Sequence, residues 1–253
     1  MPEPHQQPGQ PRLRRLSDPE SLGEAAAHDI AAALVRRLET RAEVRMIFAS
    51  APSQEATLRR LAAYPGIDWP RVTAFHMDEY LGLDAAAPQR FGNWLREVLL
   101  DRVPIGTAHL IDPGGDARAT AEAYAALLAA APIDITCMGI GVNGHLAFND
   151  PPADLDDPAP VKIVELDEVS RTQQVDDGCF ATLAAVPHRA ITLTIPALLS
   201  AEEIFCMVPG ARKRAAVTAA LHGPIGGLLP ASALRTHPHC TIYVDAESAP
   251  DVP

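Results

Sequence analysis

The sequence predicts an α/β fold, a Rossmann-like, mainly parallel sheet with helices on both faces. Strand candidates alternate with helix patterns along the whole chain. The strand candidates are continuous apolar runs, as expected of strands covered on both faces. Small-residue turns follow several of them, at the carboxyl ends where open α/β sheets place their ligands.

Taken in order, residues 1–16 are rich in Pro, Gln and Arg, lack periodicity, and are expected to form a disordered tail. Residues 17–245 read as a single domain with no internal repeat or linker, and 246–253 as a frayed tail. Ser17-Asp18-Pro19-Glu20 is a helix start, with a capping residue and a proline in the first turn. Alanine and leucine at helical spacing continue it to about Ala42. Val44 to Ala49 is a buried strand, Ser50-Ala51-Pro52-Ser53 a turn, and Gln54 to Ala63 a helix. Val72 to Met77 is the next strand, followed at once by Asp78-Glu79-Tyr80. Gln89 to Asp101 is helical, with Phe91, Trp94, Leu95 and Leu99 as its buried stripe. A short strand at Ala108 to Ile111 and an alanine-rich helix at Ala117 to Ala130 lead to the apolar run Ile133 to Met138.

That run enters Gly139-Ile140-Gly141-Val142-Asn143-Gly144-His145, which ends in Phe148-Asn149-Asp150-Pro151-Pro152. Asp150 to Pro160 is an acidic, proline-rich loop placed to serve as a lid. Val161 to Leu166, Ile191 to Ile195 and Glu203 to Val208 are further strands. Gly210-Ala211-Arg212-Lys213 opens a helix to about Leu221. A short helix at Leu229 to Leu234 precedes the last strand, Thr241 to Val244.

Composition narrows the function. Hydrophobic content of 47% suits a globular domain, and the net charge of −11 argues against nucleic acid as partner. No apolar run approaches the length of a membrane helix, and the N-terminus lacks a signal-peptide core. Cys137, Cys179, Cys206 and Cys240 show no metal or redox spacing, so they read as free thiols of a reducing cytoplasm. The sequence carries no metal site. A small-molecule partner fits, and self-association into a homo-oligomer is left open.

Asp78 and Glu79 follow a buried strand, where active-site loops gather. His145 follows three glycines, with Asn143 and Asp150 near in sequence, and a carboxylate there could orient its ring for acid–base work. Gly139-x-Gly141-x-x-Gly144 matches a dinucleotide fingerprint, but the prolines that follow forbid the helix it requires. Two turns suit an anion. Ser50, Ala51 and Ser53 offer hydroxyls and N–H groups ahead of a helix. Arg212 and Lys213 place cations in a first turn, where they oppose the helix dipole unless they serve an anion.

Phe75-His76-Met77-Asp78-Glu79-Tyr80-Leu81-Gly82-Leu83, together with Gly139 to Pro151, resembles the glucosamine-6-phosphate deaminase (isomerase) family, which shares its fold with 6-phosphogluconolactonases. More weakly, the resemblance spans Val44 to Val244. It implies conversion of an amino-sugar 6-phosphate and water to a ketose 6-phosphate and ammonia, without a redox cofactor. It also implies that Asp78 moves a proton between C2 and C1, that His145 opens the sugar ring, and that neighbouring groups, at positions held here by Asn143 and Asp150, hold and tune the histidine; Glu79 is a further catalytic candidate. Ser50, Ala51, Ser53 and Lys213 would hold the phosphate, with Arg171 the nearest candidate for a phosphate-binding arginine. The chain departs from the family pattern in several places. Asn143 stands for an aspartate, Asp150 for a glutamate, and the phosphate loop has fewer glycines. The basic residues that bind an allosteric activator are mostly missing from Pro151 to Pro160, so no such activation is expected. A 6-phosphogluconolactonase-type hydrolase and a non-catalytic sugar-phosphate sensor are the alternatives.

Overall fold

The structure is a computed structural model that describes residues 10–250. Its elements in chain order are β1 (Arg12–Arg15), α1 (Pro19–Leu38), β2 (Val44–Phe48), α2 (Glu55–Ala62), β3 (Val72–His76), β4 (Asp78–Tyr80), α3 (Phe91–Val98), β5 (Thr107–His109), α4 (Ala117–Ala129), β6 (Ile135–Met138), β7 (Val161–Glu165), α5 (Glu168–Asp176), β8 (Arg189–Leu193), α6 (Ile195–Leu199), β9 (Glu203–Val208), α7 (Arg214–His222) and β10 (Cys240–Val244). Short 3₁₀ turns at Pro52–Gln54, Ala211–Lys213 and Pro230–Thr236 sit at or between these elements.

Seven strands form one parallel sheet in the order β1-β10-β9-β6-β2-β3-β5. The expected parallel α/β architecture is therefore present. Burial explains it. Along β2 the side chains alternate between faces, with Ile47 joining one apolar core and Val44, Met46 and Phe48 the other. One core is closed by α4, α6 and α7 and the other by α1, α2 and α3. From β2 the chain moves outward through β3 and β5, then returns to add β6, β9 and β10 on the opposite side. The switch point thus falls between β2 and β6, where such sheets leave a crevice beyond their carboxyl ends.

A second, antiparallel sheet, β4-β8-β7, stands over that edge. Its origin is at Met77. The Met77 N–H donates to Phe48 O of the large sheet at 3.2 Å, while its carbonyl accepts from Leu193 N of β8 at 2.8 Å. One residue therefore belongs to both sheets, and Asp78 is the first residue past the junction. Tyr124 of α4 closes the gap this opens. Its hydroxyl accepts from His76 N at 3.0 Å and lies 2.8 Å from His76 O and 3.0 Å from His109 O.

Two expected tails need correction. Residues 1–9 and 251–253 lie outside the described residues, but Arg12–Arg15 is an edge strand, paired in register with Thr241 to Val244. Only Leu13 of that strand packs on the core, so the segment lacks an apolar run. Arg14 instead ion-pairs with Asp29 and lies 5.6 Å over the Tyr243 ring. At the other end, residues 246–250 are held rather than frayed. The buried Asp245 carboxylate accepts from Glu247 N at 3.1 Å and Ser248 N at 2.7 Å.

β8 also ends earlier than expected. Thr194 leaves the strand to cap α6, accepting from Ala197 N at 3.4 Å. Just before it, Thr192 is fully buried, and its Oγ1 accepts from Phe148 N at 3.1 Å. Thr192→Val keeps the shape and strands that N–H, so urea unfolding should show a loss of about 1–3 kcal/mol. An unchanged midpoint would remove Thr192 as a fastening point.

Candidate active site

The crevice at the switch point is a cleft open to solvent, placed where open α/β sheets hold their ligands. Its walls come from the turns after four parallel strands. Ala49, Ser50, Ala51, Ser53 and Gln54 follow β2, Met77 and Asp78 follow β3, Gly139, Ile140, Gly141, His145, Ala147 and Phe148 follow β6, and Lys213 follows β9. Gln173 and Gln174 of α5 and Phe91 of α3 complete it. Asp78, His145, Ser50, Ala51, Ser53 and Lys213 thus meet in one place, across more than 160 residues of sequence.

Asp78 is 6% exposed. Burial pushes its carboxyl well above the ordinary carboxylate range, and the adjacent Glu79 carboxylate pushes the same way. A carboxylate so placed is a stronger base than one in water.

His145 sits on Gly141. A Cβ at Gly141 would come within 2.2 Å of the ring's Cε1 and Nε2 atoms, so only glycine admits the imidazole there. Gly144 has φ +83°, and a Cβ on it would meet Leu229 Cδ1 at 2.4 Å. The two glycines are therefore required by the turn and by what packs on it. No helix follows Gly144 before α5, so the pyrophosphate-binding geometry of a dinucleotide fold is not built.

The far nitrogen of the ring is occupied. His145 Nδ1 lies 2.7 Å from Ser170 Oγ and 3.2 Å from Asp150 Oδ1. Ser170 Oγ also donates to Asp150 Oδ1, and Asn143 Nδ2 donates to the same oxygen at 3.1 Å. Asn143 Oδ1 accepts from His145 N at 3.1 Å, and Asp167 N donates to Asp150 Oδ2 at 3.2 Å. Burial pushes the Asp150 carboxyl up, but hydrogen bonds and charge from His145, with Ser170 and Asn143, outweigh it and hold the group at about 2. Asn143 and Asp150 therefore contact His145 and its neighbours and do not line the cleft.

Two expected site residues fall elsewhere. Glu79 is not a cleft residue. It is fully buried and accepts from Tyr80 N at 2.9 Å, Phe91 N at 3.1 Å and Gly92 N at 2.9 Å, serving as an anchor for the first turn of α3. Arg171 points away from the cleft, donating to Leu183 O at 2.7 Å and Val186 O at 3.0 Å. Arg212 is also committed, at 2.9 Å to Asp176 and closer to Asp177. Among the described residues Lys213 is then the only lysine or arginine lining the cleft.

Neutral groups share that end. Ser50 Oγ and Gln54 Oε1 are buried without a hydrogen-bond partner. Gln174 is 7% exposed, lines the cleft, and makes no side-chain hydrogen bond among the described residues. Sequence reasoning missed Gln54, Gln173, Gln174 and Ser170. The signal was present as polar positions 170, 173, 174 and 177, a helical stripe without apolar residues.

Comparison with known proteins agrees with this fold. The sequence model of glucosamine-6-phosphate isomerases/6-phosphogluconolactonase matches residues 17–243. The chain belongs to that family. Within it, a protein of Pseudarthrobacter chlorophenolicus named glucosamine-6-phosphate deaminase is 34% identical over 188 residues, covering 73% of this chain and 71% of the relative. A deaminase of the same name from Streptococcus pneumoniae serotype 4 is 36% identical over 185 residues, covering 72% and 77%. A solved monomeric glucosamine-6-phosphate deaminase superposes with a TM-score of 0.85 at 25% identity, covering 94% of this chain and 98% of its own. A 6-phosphogluconolactonase from Shewanella baltica has the same fold, with a TM-score of 0.78 at 20% identity over 94% of this chain and 98% of its own.

Lys213 is buried in the cleft wall. Burial lowers the Lys213 ammonium to about 8, with Asp177 opposing and Arg212 adding to the shift. Lys213 is charged below that value and neutral above it. The affinity for a phosphorylated ligand, measured by calorimetry, should therefore fall roughly tenfold from pH 7 to pH 9. Lys213→Arg should flatten that dependence, since a guanidinium stays charged. A wild-type affinity that does not change over this range would contradict the assignment.

Proposed function

We propose that this chain is an amino-sugar phosphate deaminase. It converts glucosamine 6-phosphate, or an epimer such as galactosamine 6-phosphate, and water to a ketose 6-phosphate and ammonia. The observation that carries the reading is the meeting of Asp78 and His145, from two different turns, in a cleft that also holds Lys213. The relatives at 33–36% identity bear the deaminase name, whereas the lactonase from Shewanella baltica shares 20% and supports the fold alone.

The chemistry needs few groups. Lys213, with Ser50, Ser53 and the open amide of Gln174, would hold the phosphate and nearby hydroxyls. Binding there, away from the reacting carbons, supplies positioning. His145 Nε2 takes the proton from the O1 hydroxyl and returns one to O5 as the C1–O5 bond breaks. Asp78 removes the C2 proton while the substrate ammonium gives up a proton and O1 gains one, so the C1 carbonyl becomes an enol; Asp78 then delivers its proton to C1, leaving an iminium at C2. Water adds at C2 and ammonia leaves, so the ketose keeps every carbon and the phosphate. Phe91 and Phe148 give the cleft apolar surface for the sugar face. No step calls for a cofactor. The four cysteines, all free, suit a reducing cytoplasmic setting.

Purified protein given glucosamine 6-phosphate or galactosamine 6-phosphate should release one ammonia per ketose phosphate. Asp78→Asn should lower kcat by roughly 10²–10⁴-fold, the span of a lost general base. Hydrolysis of 6-phosphogluconolactone with no reaction of either sugar would replace this reading with the lactonase. Calorimetric binding without product would replace it with the sensor.

A further inference from the structure

Ser170 lies near the start of α5 and is fully buried. Its hydroxyl stands between two groups, His145 Nδ1 at 2.7 Å and the Asp150 carboxylate. The protons of this cluster can be placed by counting donors and acceptors. Asp150 is ionised at neutral pH and accepts only. The Ser170 O–H and the Asn143 N–H both point at its Oδ1. The Ser170 oxygen then has only lone pairs left for the ring. Nδ1 must supply the hydrogen, and it also lies within 3.2 Å of Asp150 Oδ1.

This has a consequence for the opposite nitrogen. A neutral imidazole carries one N–H, so a hydrogen fixed at Nδ1 leaves Nε2 as a bare lone pair. A Cβ at position 141 would collide with the ring, so the glycine there is what admits the imidazole in this place. Asn143 cannot carry charge, so within this cluster Asp150 is the one carboxylate behind the ring. We propose that Ser170 is a positioning residue for ring opening, its hydroxyl locking His145 in the Nδ1–H tautomer and coupling the imidazole to Asp150. Its part in turnover rests on the deaminase reading, whereas the tautomer does not.

The test separates the two. In protein labelled with ¹⁵N at histidine, with the ring signal of His145 assigned from a His145→Gln variant, the wild type should show the Nδ1–H tautomer alone. Ser170→Ala should move those ring shifts toward the Nε2–H form and lower kcat by roughly 10- to 100-fold, the range expected for losing a hydrogen bond to a charged cluster. KM should stay within about twofold, because Ser170 does not line the cleft. Ser170→Thr, which restores a hydroxyl, should recover the wild-type ring shifts. Ring shifts unmoved by Ser170→Ala would overturn the proposal, as would an unchanged kcat in an active enzyme. If the wild type does not deaminate, the deaminase reading fails, and the ring shifts still decide whether Ser170 sets the tautomer.

Discussion

The cleft depends on two consecutive residues of β8 that hold the Asp78 and His145 turns. Thr192 pairs with Asp78 across the small antiparallel sheet, and its side chain accepts the Phe148 N–H from the His145 turn. Leu193 donates to the Met77 carbonyl, and its own carbonyl accepts from Asn149 Nδ2 at 2.8 Å. Asp78 and His145 arrive from strands β3 and β6, which are separated in the sheet by β2. Without a common fastening their separation would be set only by flexible turns. Both are instead tied to one buried stretch of backbone, and that fixes their positions relative to each other. Ala147, with φ 49°, shows the turn held in an uncommon conformation between the bridge partners Leu146 and Asn149.

Electrostatics then divides the cleft. The protein carries a net charge of −11, yet the anion end presents one ammonium and several neutral donors. Asp176 and Asp177 of the α5 end hold Arg212 aside. At the reacting end burial keeps Asp78 basic, while on the far side of the imidazole Asp150 is held ionised by its hydrogen bonds. Two carboxylates of similar chemistry are thereby given opposite tendencies by their surroundings, which is how acid and base roles are commonly separated in one site. Helix α5 spans the division, with Ser170 at the imidazole and Gln173 and Gln174 in the wall.

Much of this was legible in the sequence. Continuous apolar runs such as Glu203 to Val208 announced the parallel strands, and Gly139 to His145 announced a turn that presents a histidine. What was hidden has physical reasons. Arg12–Arg15 is an edge strand held by backbone pairing and ion pairs, so it has no apolar pattern. Asp78-Glu79-Tyr80 looks like one acidic turn, but a strand alternates its faces, sending Asp78 to the cleft and Glu79 to the N-terminus of α3. Arg171 and Ser170 are neighbours on α5, and helical geometry turns the arginine to a loop and the serine to the imidazole. Only contacts over long sequence distance make that choice, and a single sequence does not display them.

The proposed reaction places the phosphate at Lys213 and the reacting carbons between Asp78 and His145. A crystal structure with the open-chain amino-alditol 6-phosphate, which cannot lose ammonia, tests it most directly. Phosphate oxygens should lie about 3 Å from Lys213 Nζ and Ser50 Oγ, with the amine-bearing carbon beside the Asp78 carboxylate. A ligand seated in the reverse direction, or with its phosphate away from Lys213, would contradict it.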